Sequence, residues 1–210
     1  MEIFEFGNPA SPIVLIQPTG VHELKSLQEE YNIIKDIAKT DFSLKCFPVN
    51  NWNNDLSPWE APAVFGNEGF GGNGETTLNE IVSYCNDSSK SYFIGGYSLA
   101  GLFSLWASAK TDLFKGAAAS SPSVWFPGFD EYINSHPVNC DIIYLSLGDK
   151  EEKTKNKVMA KVGDNIRSLF KLLIDNGKDV FLEWNEGNHF KDATLRTAKG
   201  FGYLLNNYKS

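Results

Sequence analysis

The sequence predicts an α/β protein whose mostly parallel sheet is covered by helices on both faces. Short apolar runs of strand length alternate with longer segments in which apolar residues recur at helical spacing. Several of the short runs are apolar throughout, as expected of parallel strands that are buried on both faces. With 210 residues the chain is long enough for a full core, and we expect residues 1–210 to form one domain.

The strands are predicted from short apolar runs and from the residues that bound them. Two prolines, Pro12 and Pro18, flank the first buried run, and Gly148 directly follows a later one. Residues 1–6 are a candidate antiparallel edge strand. The remaining strands are predicted at residues 13–16, 43–49, 92–95, 116–120, 142–147 and 180–184.

The helices are predicted from apolar residues three or four positions apart. Residues 22–39 carry five of them, and residues 75–86 place four on one face. A helix is also expected after residue 98. A long amphipathic helix at 155–176 is ended by Gly177, and a last helix is predicted at 191–208.

The segment from residue 50 to residue 74 differs from the rest of the chain. It is rich in glycine, asparagine and aromatic residues, and connections of this length are usually functional or packed on themselves as an Ω-loop. We expect Trp52 and Trp59 in this loop to bind substrate. The alternative is that they are core anchors of the loop, which is the commoner role of a tryptophan.

Composition excludes several classes of function. The chain has 26 acidic and 19 basic residues, a net charge of −7 and no cluster of Lys and Arg, so we expect binding neither to nucleic acid nor to a membrane. The segment at residues 69–74, GFGGNG, lacks the Lys of a phosphate-binding loop, and no pattern has the spacing of metal ligands. We therefore expect no metal and no cofactor.

The cysteines and the first residues bear on location. Three cysteines, Cys46, Cys85 and Cys140, are odd in number and far apart, which is typical of reduced thiols. The start, MEIFEFGNPA, has neither the basic nor the apolar region of a signal peptide, and no apolar run is long enough for a membrane span. We expect a cytoplasmic protein; monomer and homo-oligomer stay open.

The stretch SYFIGGYSLAG at residues 91–101 reads as strand, sharp turn and helix, with Ser98 at the turn. Such a turn lifts a serine hydroxyl clear of the sheet and requires small neighbours. Gly96 and Ala100 occupy those positions, which gives G-x-S-x-A where the stricter pattern is G-x-S-x-G. An ordinary serine in a glycine-rich turn has the same pattern, so the rest of the chain must decide between the two interpretations.

Candidate catalytic residues follow three of the predicted strands, at the carboxyl ends where open parallel sheets bind ligands. They are Ser98, the acidic residues Asp149, Glu151 and Glu152, and His189. The order nucleophile, acid, base is that of the α/β-hydrolases. The acidic residues also lie in a run of mixed charge, and such runs are usually solvated. His22 and His136 are expected at the surface.

Each candidate has a chemical role. His189 would take the proton of Ser98 and return it to the leaving group, because imidazole titrates near neutral pH. A carboxylate would orient the ring. Two backbone N–H groups would hold the oxyanion: Leu99, which follows the nucleophile, and Thr19 after the first buried strand, with Gly20 as the alternative.

Four segments together resemble a known family. IGGYSLAGLFSLWA, FKGAAASSPSVWF, LSLGDKEE and EGNHF are similar to the esterase D-like and ferric-siderophore esterases of the α/β-hydrolase superfamily. The resemblance covers the chain from about residue 91 to the end. It implies an α/β-hydrolase three-layer sandwich, with a mostly parallel sheet, helices on both faces and no cap domain.

The resemblance also implies roles for particular residues. Ser98 is the nucleophile, His189 the base, and the acid lies three residues after Gly148, which is Glu151. Many α/β-hydrolases have Asp at this position, and some siderophore esterases work as a Ser/His dyad. The chain is thus expected to be a serine esterase that hydrolyses small carboxylic esters through an acyl-enzyme. The alternatives are an acyltransferase and a non-catalytic binding protein of the same fold.

Overall fold

A seven-stranded sheet forms the centre of the protein. The structure, a computed structural model, describes residues 3–209. Its strands are β1 (Phe4–Gly7), β2 (Ile13–Thr19), β3 (Ser43–Pro48), β6 (Ser91–Tyr97), β7 (Phe114–Ser120), β8 (Ile142–Gly148) and β9 (Asp179–Asn185). They lie in the order β1-β3-β2-β6-β7-β8-β9, and only β1 at one edge is antiparallel to its neighbour.

Helices cover both faces of this sheet. Helix α1 (Leu27–Ile37) packs with α7 (Ala193–Asn207) on one face. Helices α3 (Gly74–Tyr84), α4 (Leu99–Lys110) and α6 (Val162–Asp175) cover the other, and the short α5 (Phe129–Ser135) lies beside α6. The predicted three-layer α/β fold, with a mostly parallel sheet and helices on both faces, is confirmed. None of the helices in residues 3–209 combines the length and the apolar character that a membrane span requires.

Three predicted helices begin later in the chain than expected. In the first two of them a short 3₁₀ turn precedes the start of the helix. The helix predicted at 22–39 has a 3₁₀ turn at Leu24–Ser26 before α1 begins. The helix predicted at 155–176 begins only at Val162, because the side chain of Asn156 accepts the N–H groups of Val158 and Met159 and holds a separate turn there. The last helix begins at Ala193.

The aromatic segment between β3 and α3 has a small structure of its own. It contains the one-turn helix α2 (Trp52–Asp55) and the two-residue strands β4 (Glu60–Ala61) and β5 (Phe70–Gly71), which pair with each other. Among the described residues this is the longest connection at the carboxyl edge of the sheet. It therefore supplies much of the surface that faces the ends of the strands.

The predicted edge strand at residues 1–6 lies partly outside the described residues. From Phe4 onward it is strand β1, antiparallel to β3 as expected. The strands β2, β6, β8 and β9 all run in the same direction, so the residues that follow them meet at one edge. This edge is where the candidate catalytic residues lie.

Candidate active site

Ser98 lies at a strained turn between β6 and α4. Its backbone has φ 57° and ψ −118°, a conformation that residues other than glycine rarely adopt and that costs about 1–3 kcal/mol. The turn also brings its flanks together, because a Cβ atom on Gly96 would lie 2.6 Å from the Cβ of Ala100. The turn thus accommodates the methyl group of Ala100 but requires glycine at position 96.

His189 lies between Ser98 and Glu151 and contacts both. Its Nε2 is 2.9 Å from the Oγ of Ser98, and its Nδ1 is 2.7 Å from Oε2 of Glu151. An ionised carboxylate only accepts hydrogen bonds, so Nδ1–H donates to Glu151 and the free Nε2 of the neutral ring faces the serine hydroxyl. This tautomer is the one in which histidine can accept the serine proton.

Glu151 is buried, and its second oxygen is also fully bonded. Oε1 accepts the N–H of Gly148 at 2.7 Å and the hydroxyl of Ser121 at 2.8 Å. Burial by itself would raise the pKa of Glu151, but the hydrogen bonds and the charge of His189, together with the two donors to Oε1, outweigh it. The pKa is therefore below its ordinary value, and the carboxylate stays ionised.

Sequence reasoning missed the buried cation beside this carboxylate. Arg196 of α7 donates from Nη1 to Oε1 of Glu151 at 3.0 Å, to the hydroxyl of Ser121 and to the hydroxyl of Tyr97, and from Nη2 to the carbonyl of Glu186. It is almost wholly inaccessible to solvent. A lone arginine in the predicted last helix gave no signal, since its partners come from four distant segments.

The other two candidate acids have different partners. Asp149 accepts the N–H of Gly187 through Oδ1 at 2.7 Å, and that hydrogen bond lowers the pKa of this exposed carboxyl. Glu152 forms an ion pair with Arg167 at 3.0 Å rather than staying free in solvent. Only Glu151 is brought against His189.

A cavity of about 480 Å³ opens beside Ser98 and His189. Its walls come from the aromatic segment, from the turn after β7 and from the residues around the histidine. The lining residues are His22, Trp52, Asn53, Phe65, Phe70, Tyr97, Ser98, Leu99, Ser123, Trp125, Met159, His189, Phe190 and Ala193. A volume of this size is typical of small-molecule sites.

The two candidate tryptophans are placed differently. Trp52 lines the cavity, with its ring edge-on to that of His22 at 4.9 Å. Trp59 is not among the lining residues. It packs against Phe126 and Tyr132, and its indole N–H donates to the carbonyl of Pro127. These are the contacts of a residue that anchors its loop.

The candidate oxyanion donors are also placed differently. Leu99 lines the cavity as the first residue of α4, where a backbone N–H has no partner within the helix. Thr19 is fully buried and does not line the cavity. The alternative donor, the N–H of Gly20, is already bonded to the carboxylate of Glu23 at 2.8 Å. The second oxyanion donor stays a prediction.

Two further residues at the cavity were not singled out from the sequence. The hydroxyl of Ser123 lies 3.3 Å from that of Ser98, and the Ser123 N–H donates to the Ser98 carbonyl. His22, expected only at the surface, forms part of the wall. Across residues 3–209, no three His, Cys, Asp or Glu side chains are grouped as metal ligands would be.

Comparison with solved structures gives clear matches. An IroE-like serine hydrolase from Shewanella oneidensis has a TM-score of 0.75, covers 99% of this chain and 76% of its own, and is 12% identical. The siderophore hydrolase EstA from Aspergillus nidulans has a TM-score of 0.67, covers 95% and 85%, and is 18% identical. This chain has the fold of these hydrolases. The predicted resemblance to ferric-siderophore esterases is thus confirmed at the level of the fold.

A third match is to part of a longer protein. The enterobactin esterase FES from Shigella flexneri has a TM-score of 0.63 and 13% identity, and it covers 97% of this chain. The chain spans only 55% of that protein, about half its length. No protein-family model and no curated protein sequence matches the chain.

Proposed function

We propose that this protein is a serine hydrolase of carboxylic esters that works through an acyl-enzyme. The observation that carries the proposal is the continuous chain of hydrogen bonds from Ser98 through His189 to Glu151, with the hydroxyl of Ser98 facing a cavity. A serine hydroxyl is a weak nucleophile unless a base lies within hydrogen-bond distance and a third group orients that base. Both conditions are met here.

Acylation follows from this geometry. The Oγ of Ser98 attacks the ester carbonyl carbon while its proton moves to Nε2 of His189, which gives a tetrahedral oxyanion and an imidazolium. The N–H of Leu99, which has no partner within α4, would stabilise the oxyanion. The intermediate then collapses: the bond to the alcohol oxygen breaks, the imidazolium protonates that oxygen, and the acyl group remains on Ser98.

Deacylation repeats these steps with water in place of serine. Nε2 of His189 removes a proton from the water as the water oxygen attacks the acyl carbon. The bond between the acyl carbon and the Oγ of Ser98 then breaks, and the imidazolium returns the proton to that Oγ. Glu151 stabilises the imidazolium in both halves of the reaction without itself being protonated. The products are a carboxylic acid and an alcohol.

Other hydrolases of the same fold support the proposal. The matching structures from Shewanella, Aspergillus and Shigella are described as a serine hydrolase, a siderophore hydrolase and an esterase. An acyltransferase would use the same acyl-enzyme but pass the group to an alcohol. A binding protein of this fold would have no need of a strained serine hydrogen-bonded to a histidine.

Labelling with a fluorophosphonate tests the proposal. The probe forms a covalent bond to an activated serine, so we expect stoichiometric labelling of the native protein, mapped by mass spectrometry to Ser98. Ser98→Ala and His189→Ala should not be labelled, whereas His136→Ala, at an exposed turn after α5, is the matched histidine control and should be labelled as the native protein is. Absence of labelling in the native protein would contradict an activated serine.

A further inference from the structure

We infer that the ester cleaved at this site carries a bulky, uncharged and apolar acyl group. The inference rests on the proposed function and goes beyond it by naming the chemical class of the substrate. Three observations carry it: the aromatic wall of the cavity, the absence of charged side chains from its lining, and the exposed apolar residues around its mouth.

The wall is built largely from aromatic rings. Phe65, Phe70 and Trp125 pack against one another, with ring centroids 6.0 to 6.3 Å apart, and form one side. Trp52 stands on another side, against His22. Such surfaces gain free energy when they are covered by an apolar group and offer few hydrogen bonds to a polar one.

The lining has no charged partner for an anion. Among the residues that line the cavity there is no Lys, Arg, Asp or Glu, and the polar side chains other than the catalytic pair and the two indoles are His22, Asn53, Tyr97 and Ser123. Lys150 and Lys153 line a separate cleft that adjoins the cavity. A carboxylate or phosphate placed there would lose its hydration without a cation to replace it, which is strongly unfavourable. Acyl groups that end in an anion should therefore be poor substrates.

The apolar surface continues outward around the mouth. Phe190, which follows the catalytic histidine in the chain and lines the cavity, is 88% exposed. Phe65, which also lines the cavity, is 46% exposed. A large apolar group that fills the cavity and reaches these residues would cover surface that is otherwise open to water.

The acyl part of the ester is assigned to this cavity because of where it becomes attached. Ser98 lines the cavity, and the acyl carbon bonds to its Oγ. The group on that carbon therefore starts at the cavity wall and stays there through deacylation. Its fit affects both halves of the reaction, whereas the alcohol leaves after the first.

Three 4-nitrophenyl esters test the inference with the full-length protein. The hexanoate and the hemiadipate have acyl chains of the same length, and only the second ends in a carboxylate; the acetate is the small reference. Since burial of one methylene is worth about fourfold in an equilibrium, we expect kcat/KM for the hexanoate to exceed that for the acetate by about tenfold or more. The hemiadipate should fall below the hexanoate by about 100-fold.

Two pairs of variants sharpen the test. Asn53→Lys places a cation in the lining and should raise the hemiadipate-to-hexanoate ratio by about tenfold, whereas Asn53→Gln adds bulk without charge and should keep the native ratio. Phe65→Ala should lower the hexanoate-to-acetate ratio. Phe181→Ala is the matched control, since Phe181 is similarly exposed but lies on β9 away from the cavity.

The possible outcomes separate this inference from the proposed function. Equal values of kcat/KM for hexanoate and hemiadipate, or a preference for acetate, in a protein whose hydrolysis depends on Ser98 would overturn the substrate class alone. A preference that appears only when the alcohol is lengthened would overturn the assignment to the acyl group. No Ser98-dependent hydrolysis of any ester would contradict the proposed function itself.

Discussion

Ser98 provides the most direct prediction at the scale of single residues. Ser98→Ala removes one oxygen from a partly exposed turn, so we expect the fold to be retained and kcat for an activated ester to fall by about 10⁶. The unfolding free energy should change by about 1 kcal/mol or less. Activity above a few per cent in a carefully purified variant, measured beside a thermal unfolding curve, would rule out this nucleophile.

The acid gives a prediction with two controls built into the same loop. Glu151→Gln removes the charge that stabilises the imidazolium and disturbs the tautomer of His189, so kcat should fall by about 10²–10⁴. Asp149→Asn and Glu152→Gln alter carboxylates that contact Gly187 and Arg167 instead, and they should cost far less. Steady-state kinetics of the three variants measure this directly.

The buried ion pair between Glu151 and Arg196 means that Glu151→Gln should also lower the stability of the protein. Neutralising this residue leaves Arg196 without its counter-ion, and breaking a buried ion pair typically costs about 3–5 kcal/mol of stability. The stability of Glu151→Gln must therefore be measured too, and Glu151→Asp, which keeps the charge, should be the more stable variant. Near-native rates in Glu151→Gln would favour a Ser98–His189 dyad.

Arg196 should influence the chemistry through its charge. It lies 3.0 Å from Glu151 and opposes the positive charge that His189 acquires during catalysis. Arg196→Met should lower kcat/KM and move the midpoint of its acid limb to higher pH, because the imidazolium loses a repulsive neighbour and Glu151 loses its counter-ion. Arg196→Lys retains the charge and should retain the native midpoint.

The pH profile separates this role from a structural one. If Arg196 only braced the loops through Tyr97, Ser121 and Glu186, both variants would lower the rate equally at every pH and leave the midpoint in place. A profile of kcat/KM between pH 5 and 9 distinguishes the two results. The stability of each variant, measured at the same pH values, limits the comparison to folded protein.

Single residues also show what the sequence could and could not predict. Ser98, His189 and the three candidate acids could be placed together because they follow parallel strands, and such strands end at one edge; only the resemblance singles out Glu151 among the acids. Arg196 could not be placed, because a buried cation is recognised only by its partners, and these come from four distant segments. Trp59 lies in an aromatic, glycine-rich segment of the kind that often binds ligands, but its contacts with Phe126 and Pro127 are those of a loop anchor.

At the scale of elements, the aromatic segment between β3 and α3 yields a paired prediction. Trp59 bridges this segment to the chain around Phe126, so Trp59→Ala should lower the unfolding free energy by about 2–4 kcal/mol. Trp52→Ala removes part of the cavity wall and should instead change the ratio of rates for large and small esters. Thermal unfolding and kinetics with two esters measure both effects. A change of preference in Trp59→Ala without loss of stability would restore its predicted role in binding.

The predicted strands agree with the structure better than the predicted helix starts do. A buried parallel strand is marked along its whole length by apolar residues, so β2, β6 and β8 were found within a few residues. A helix start depends on local hydrogen bonds, such as those from Asn156 that delay α6, and periodicity does not detect them. Gly177, with φ +75°, ends the helical segment as predicted.

At the scale of the whole molecule, the alternation of strands and helices in the sequence predicted more of the architecture than any motif did. It predicted the parallel sheet, the two helical layers and the edge at which the three loops with the candidate catalytic residues meet. The cavity was less predictable, because its wall depends on how the segment between β3 and α3 packs over that edge. The hydrogen bond from Asn156 to the Val64 carbonyl, for example, ties that segment to the chain after β8.

Two carboxyl groups near the end of β2, those of Glu23 and Glu30, should make the stability of the protein depend on pH. Glu30 of α1 is buried, and its Oε1 has no hydrogen-bond partner among residues 3–209. Burial, and then the nearby charge of Glu23, holds the pKa of Glu30 well above its ordinary value, and burial raises the pKa of Glu23 to about 7. Both groups are therefore protonated in the folded protein at pH values where the unfolded chain is ionised.

A carboxyl whose pKa is raised by folding stabilises the protein fully only below its pKa in the unfolded chain, near 4.3. That stability is lost as the pH rises through the folded value, which for Glu23 is about 7 and for Glu30 lies well above the ordinary range. Glu30→Gln keeps the shape and cannot ionise. The melting temperature of Glu30→Gln minus that of the native protein should therefore increase from pH 5 to pH 8. The increase should be about 2–4 °C for each 1 kcal/mol of stability that the native protein loses relative to the variant. Glu29→Gln, one residue away and exposed, should show no such change. A difference between Glu30→Gln and the native protein that is the same at both pH values would mean that Glu30 is already ionised in the folded protein at pH 5.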